Sequence, residues 1–368
     1  MSIGFSSTTL DIIELPQEIP LYLPYAVDDC SLAFHLGFRN KIVWYAIHKK
    51  QEMYRVLSIK KKSGGKRLIH APTPLFKLML QQFLNKFLTP LQELLGDHVT
   101  AYREGCSTRD AVEQHIPKCD VCEAAKGAAP EHTCPRLGTY VHMDLENFFG
   151  STLRSWIRNY FKGLGYSHYV AGLMASLITV KVGDKNIVPQ GAPTSGAICN
   201  LVADQRLDWP IRQFLGNLDR TMNLSGEYSW RYTRYSDDLS FTCGKTLTQE
   251  EQEEFIGGIT KIVRAGGYRV NKAKTRGTFR YHAKRLLGLV MNQKPNVDQA
   301  KYLKFRGVVH NCLMYGLEVE AEKSGKTPEA FRSWVQGNVN YIGQIHPAHG
   351  EKLMDVLRPA IEIWKHGK

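Results

Sequence analysis

The 368-residue chain predicts an α+β fold, a small antiparallel sheet flanked by helices, on three observations. Two β-prone runs, Trp230 to Tyr235 and Leu239 to Cys243, flank a tight turn carrying Asp237 and Asp238, the pattern of a hairpin that exposes adjacent carboxylates at its tip. A third β-prone run, Tyr140 to Met143, leads directly into Asp144. Helix-start signals lie on both sides of this β-rich centre, and no internal repeat or long low-complexity stretch interrupts it.

In chain order, residues 1–27 precede the first helical pattern and read as an N-terminal extension. Residues 28–50 and 74–95 read as helices around a hairpin whose turn, Ser63-Gly64-Gly65, is crowded by Lys60, Lys61, Lys62, Lys66 and Arg67; Leu68 to Pro72 form its second strand. A Cys/His insertion follows, with Cys119-x-x-Cys122 and His132-Thr133-Cys134 as its ligand set. The intervening Ala-, Gly- and Pro-rich segment buries no core of its own, so four soft ligands predict a structural zinc, with His115 as a competing ligand and free thiols as the alternative. The other cysteines, Cys30, Cys106, Cys199, Cys243 and Cys312, are scattered and fit a reduced compartment. The loop Val188 to Gly196 is built from glycine, proline and small residues ahead of a helical stretch through Ala197, Leu201 and Leu207, a composition that lets backbone approach a substrate closely. Thr248-Gln249-Glu250-Glu251 is a capping-box pattern that predicts a helix near 248–265. Three more helices are expected over 298–316, from Thr327-Pro328-Glu329 onward, and near 350–366.

The carboxylates set the chemistry. An isolated Asp-Asp pair is most often a solvated turn. Here a third aspartate waits at a strand end, and mutually repelling carboxylates make most sense around a divalent cation, magnesium being the natural candidate. Phosphoryl transfer by two metal ions requires carboxylates from separate elements bridging ions about 3.5–4 Å apart, and Asp144 and Asp237 are placed to supply that bridge. Composition agrees with a nucleic-acid partner: 48 Lys plus Arg against 35 Asp plus Glu give a formal charge of +13, and the excess clusters around residues 60–67 and 272–285. No run of about 18 apolar residues and no charged-then-apolar leader is present, so neither membrane insertion nor secretion is expected and the cytoplasm is the expected location.

With these segments in hand, the chain resembles reverse transcriptases, and among them the bacterial retron type, over roughly residues 30–345. Asp144 with Phe148-Phe149 resembles polymerase motif A. Pro189 to Ser195 resembles motif B, and Tyr235-Ser236-Asp237-Asp238 resembles motif C in its RNA-templated, DNA-making form. Val270 to Thr275 resembles motif D, Leu286 to Asn292 the primer-grip hairpin of motif E, and Lys60 to Pro72 the fingers hairpin, all in the order the family requires. Two retron signatures depart from their usual form: Leu286-Leu287-Gly288 keeps only the glycine of Val-Thr-Gly, and Asp110 to His115 has one residue more than Asn-Ala-x-x-His.

The resemblance implies a polymerase right hand with an antiparallel palm sheet. Fingers would span 28–139, with the Cys/His insertion at 116–136. The palm, including part of the fingers and the primer-grip hairpin, would span 140–293, and a helical thumb 294–368. It implies an RNA-directed DNA polymerase copying a cognate non-coding RNA into an RNA/DNA product from dNTPs, within a retron anti-phage system that includes an effector protein of the same operon. Non-retron defence reverse transcriptases and an RNA-binding scaffold with a vestigial site are the alternatives. Asp144, Asp237 and Asp238, with Leu145, would hold two Mg2+ ions. Lys60 and Arg67 would clamp the triphosphate, Phe149 would exclude a 2′-hydroxyl, and Gln190, Leu145 and Tyr235 would line the nucleotide. Lys274, or Lys272 on the same segment, would protonate the leaving pyrophosphate.

Overall fold

A computed structural model describes residues 22–60, 64–118, 137–278, 284–291 and 294–366. The chain forms two compact units, one from Met1–Ser107 and Gly138–Gly277, the other from Thr108–Leu137 and Thr278–Lys368.

The first unit opens with the hairpin of β1 (Tyr54–Lys60) and β2 (Lys66–Pro72). Its centre is a four-stranded sheet in the order β6-β7-β3-β8, from β3 (Thr139–Leu145), β6 (Arg231–Tyr235), β7 (Asp238–Cys243) and β8 (Val270–Thr278). A short hairpin, β4 (Val180–Val182) with β5 (Lys185–Ile187), lies apart from it. The pairs β3/β7 and β6/β7 are antiparallel. Both central strands are buried on both faces: Val141 and Met143 of β3, and Leu239 and Phe241 of β7, lie in one core with Ile198, Ile259 and Val263 from the helices packed around them. Ser195–Ala203 is buried along its whole length, so the glycine-rich loop ahead of it is anchored at its downstream end. Gln249–Ala265 begins at the expected capping box, Thr248 Oγ1 accepting from the Glu251 amide at 3.2 Å and the Glu251 carboxylate from the Thr248 amide at 2.8 Å.

Two helices run differently from the expectation. The stretch 28–50 divides into Asp29–Leu36 and Asn40–His48, because Gly37 takes a left-handed φ of 76° and ends the first by accepting the C-cap role. The stretch 74–95 comprises Pro74–Phe83, a π-helical turn Leu84–Leu88 and Thr89–Gln92.

The second unit is helical: Gln299–Tyr315, Leu317–Lys323, Pro328–Ile345 and Pro347–His366, with a small sheet of β9 (Arg285–Leu286), β10 (Leu289–Met291) and β11 (Pro295–Val297). The last helix thus starts a few residues before the expected position. Gly350 permits this tight return, since a Cβ there would lie 2.3 Å from the Gly343 Cα of the preceding helix. Unit boundaries also differ from those drawn on the sequence. The helix Thr108–Glu113, assigned to the fingers, packs on β10 and β11 because Ala111 and Val112 bury completely. The two segments that depart from retron signatures therefore share one unit. The primer-grip hairpin also belongs to this unit and not to the sheet-bearing one.

Candidate active site

The register of β3 against β7 sets Asp144 directly opposite Asp238. Tyr235 pairs with Asp238 across β6 and β7, so the connecting turn is only Ser236-Asp237, with Ser236 at φ 60°. The Leu145 amide donates to the Asp237 carbonyl at 2.8 Å and pins that turn to the end of β3. Three carboxylates thereby converge from two neighbouring strands and their turn. The tip is less open than the sequence suggested: Asp144 is 5% exposed, Asp237 and Asp238 are half-buried, and Asp238 is a strand residue. The long-range pairing with β3 is what covers them.

Each carboxylate has a different neighbour. Lys274 Nζ donates to Asp144 Oδ1 at 2.6 Å, and Asn271 Nδ2 to Asp144 Oδ2 at 3.3 Å, both from β8. His142 Nε2 lies 3.0 Å from Asp238 Oδ1. Burial, then the charges of Asp238 and Asp144, push the Asp237 carboxyl above the ordinary carboxylate range. The hydrogen bond to Asp144 holds the Lys274 ammonium above the usual lysine range. Lys272 has no such contact to the cluster among the hydrogen bonds of the described residues, so spacing left undecided what geometry distinguishes. The donor set fits divalent metal: hard oxygen ligands, buried or half-buried, three carboxylates beside one ammonium. Leu145 is 1% exposed, so only its backbone can face an ion or a nucleotide.

The aromatic pair after Asp144 separates into two roles. Phe148 is core, 2% exposed and stacked on Tyr268 at 5.6 Å. Phe149 is half-buried and meets Tyr102 edge-on at 5.9 Å. Tyr102 sits at φ 56° and lies so close to the helix Ser195–Ala203 that a Cβ on Gly196 would be 2.3 Å from its Cγ. The motif B loop is tied to the hairpin in two places. The His70 amide donates to the Gln190 carbonyl at 2.7 Å, and a Cβ on Gly191, at φ 111°, would be 2.7 Å from Ile69 Cγ2.

That junction also orders the hairpin's basic residues. Ile59 pairs with Arg67 and Leu57 with Ile69, so Arg67 shares the Ile69 face, which meets Gly191. Lys60 pairs with Lys66 on the opposite face. The register thus separates Lys60 from Arg67. Tyr235, half-buried, ends β6 opposite Asp238. Cys119, Cys122, His132 and Cys134 lie outside the described residues.

Several contributors escaped sequence reading. His142 stands two residues before Asp144 and therefore on the same face of β3, a signal that was present. Arg234 gave none. Fully buried, it donates from Nε and Nη2 to both Asp208 oxygens at 2.7–3.0 Å and from Nη1 to Asn200 Oδ1 at 2.9 Å. Its guanidinium carbon lies 5.7 Å from the Phe148 ring centre, and its backbone pairs with His98 and Thr100. One side chain thus joins the strand before Asp237, the helix after the motif B loop and the segment after Asp144.

Comparison with known proteins supplies the class. The family it finds is one of template-copying nucleotide polymerases. The family described as reverse transcriptase (RNA-dependent DNA polymerase) matches residues 59–345, well over half of the chain, and the chain belongs to that family. Among curated relatives, it is 27% identical over 334 residues to Retron Mx65 reverse transcriptase of Myxococcus xanthus, covering 86% of this chain and 67% of that protein. It is 28% identical over 180 residues to Retron Ec86 reverse transcriptase of Escherichia coli, covering 48% of this chain and 51% of the relative, so the match spans about half of that protein's length. Among solved structures, the telomerase from Candida albicans in complex with a TWJ fragment of telomeric RNA aligns with a TM-score of 0.45 and 14% identity, over 87% of this chain and 63% of that one. The family generally works with divalent metal ions. No helix among the described residues is long and apolar enough to cross a membrane.

Proposed function

We propose that the protein copies a structured non-coding RNA into DNA by two-metal nucleotidyl transfer, as the reverse transcriptase of a retron that serves anti-phage defence. The observation that carries this reading is the convergence of Asp144, Asp237 and Asp238, three carboxylates beside the single ammonium of Lys274. The three carboxylates and the Leu145 backbone would hold two magnesium ions, which would supply Lewis acidity toward the primer hydroxyl and the departing pyrophosphate. The chain's own residues do the rest. Lys274, fully protonated at neutral pH, is positioned at Asp144 to give a proton to that pyrophosphate. Phe149, packed against Tyr102, is the bulky side chain that would exclude a 2′-hydroxyl. Arg67, on the motif B face of the hairpin, grips the triphosphate through its planar fork, and Lys60 adds charge from the other face. Gln190, its carbonyl held by His70, and Tyr235 order the incoming nucleotide.

The names of the relatives, retron reverse transcriptases, support an RNA template and its RNA/DNA product as partners; an effector protein encoded beside the enzyme is proposed from the retron reading alone. The Cys119, Cys122, His132 and Cys134 set, by its spacing, is proposed to hold a structural zinc, and metal analysis of wild type against Cys119→Ser reads this directly.

The deciding experiment is to express the chain with its flanking genomic DNA and sequence the nucleic acid that co-purifies with wild type and with an Asp237→Ala, Asp238→Ala variant. Discrete RNA-linked DNA in wild type alone is the expected result. RNA without DNA in both would make the protein an RNA-binding scaffold.

A further inference from the structure

Away from the carboxylates, the sheet-bearing unit holds a cavity of about 490 Å³ among the helices Asn40–His48, Arg154–Gly163 and His168–Leu177 and the 3-10 turn Lys50–Met53. His48, Lys50, Arg154, Arg158, His168 and Tyr169 line it, and none of its lining residues is acidic. No residue of the carboxylate cluster or of the motif B loop borders it.

Its cations are under-satisfied. Lys50 Nζ donates to the Ser176 carbonyl at 2.7 Å, and Arg154 Nη2 to the Gly172 carbonyl at 3.4 Å. The Nε atoms of Arg154 and Arg158 are buried without any acceptor. Burial, followed by the Arg154 charge, pulls the Lys50 amine down to about 8. Gathering like charges and leaving buried donors unmade both cost stability. An anion with several oxygens removes both costs together, and a phosphate matches two guanidinium forks. Beside the cavity stand two flat aromatic surfaces: Trp44, 51% exposed and stacked on His48 at 4.3 Å, and Tyr169, 57% exposed. Cations interleaved with exposed rings are the chemistry that holds unpaired nucleotides, phosphate in the basic groove and base on the ring.

We propose that this cavity is a second nucleic-acid site, seating a backbone phosphate of single-stranded RNA between Lys50, Arg154 and Arg158 with a neighbouring base stacked on Trp44 or Tyr169. Naming RNA as the source of the phosphate rests on the polymerase reading; the phosphate chemistry stands without it.

The test uses the full chain and a 20-nucleotide oligouridine carrying 4-thiouridine. Ultraviolet cross-links are mapped by mass spectrometry for wild type, Arg158→Lys, Arg158→Gln and the double variant Arg154→Gln, Arg158→Gln, each checked by thermal melting. Cross-links on the peptides containing Trp44 and Tyr169 are expected in wild type. They should weaken in Arg158→Lys, which keeps charge but loses the fork, and vanish in the double variant. The slope of log affinity against log salt should fall by about 0.7 to 1 in that variant, the loss of one phosphate contact. Cross-links confined to other peptides in wild type overturn the proposal. So does protection of this cavity by inorganic phosphate or a free dNTP but not by the oligonucleotide. Primer extension in the same preparations reports separately on the polymerase reading: extension without cross-links here sinks only the cavity proposal, and cross-links without extension sink only the polymerase.

Discussion

Asp144, Asp237 and Asp238 at the ends of β3 and β7, and His98, Asp204 and Asp208 beside β6, are two clusters of potential metal ligands in one unit, and only in the second is a carboxylate, Asp208, fully buried against an arginine fork. In that second cluster, the ring nitrogen and a ligand oxygen of each carboxylate lie within 4.8 Å of one another. Yet Asp208 already accepts from both sides of the Arg234 fork and from the Tyr232 hydroxyl at 2.7 Å, and His98 Nε2 stands 3.5 Å from it. Its lone pairs are spent and its charge is cancelled in full burial. The first cluster has Lys274 and His142 at its edges and carboxylates in excess, and burial together with the charges of Asp238 and Asp144 lifts Asp237. Proximity of ligands alone therefore does not single out the proposed metal site; the excess of carboxylates over cations around Asp144, Asp237 and Asp238 is what distinguishes it.

The sharpest break of this comparison is between two aspartate-to-asparagine variants. Asp237→Asn is expected to reduce primer extension by about 10³-fold or more while the melting temperature holds or rises, because a mutually repelling carboxylate is removed. Asp208→Asn should instead lower the melting temperature, with activity falling only as folded protein is lost. If Asp237→Asn unfolds the protein and Asp208→Asn does not, the assignment of the two clusters is reversed.

Next in size is Arg234→Met, which strands a buried carboxylate and is expected to cost about 3–5 kcal/mol in urea unfolding. Adding Asp208→Leu should recover most of that loss. A double variant no more stable than the single would show that Arg234 acts through Asn200 and Phe148 instead.

A smaller effect tests the hairpin. Arg67→Ala should raise the KM for dNTP about tenfold, and Lys60→Ala less than about twofold, since only Arg67 shares the face that meets Gly191. Equal effects would mean that charge, not facing, matters there.

The smallest is a pH signature of the sealed cluster. Burial would raise Asp208, but Arg234 and His98 hold it well below its ordinary 3.8, so its contribution is complete above that value and is lost on further acidification. Burial lowers His98, yet Asp204 and Asp208 more than reverse this, so its pKa lies above 6.5 and its contribution is complete below 6.5 and lost as pH rises through the folded value. Denaturant melts should show a plateau between these limits, and His98→Gln should abolish the alkaline limb while leaving the acid one.

What the sequence revealed follows a physical line. The hairpin at Ser236-Asp237 was legible because β-prone runs and a two-residue turn are local signals, and the helix from Thr248 because its capping box is. Gly37 was an equally local stop signal that the reading of 28–50 passed over. The covering of the aspartates by β3 depends on a pairing nearly a hundred residues apart in the chain, and no local pattern announces it. Arginine in a strand reads as solvated surface, so Arg234 became visible only when Asp208 and Asn200 were brought to it. The facing of Lys60 and Arg67 hangs on register, where a slip of one residue inverts every side chain.

Gly196 carries a consequence of its own. Tyr102 fills the space that any side chain at this position would claim, and Phe149 leans on Tyr102. The Tyr102–Phe149 ring pair is therefore gauged by an atom the chain lacks. One methyl added at residue 196 would push the Tyr102 ring and, through it, Phe149, the ring proposed above to face the sugar of an incoming nucleotide.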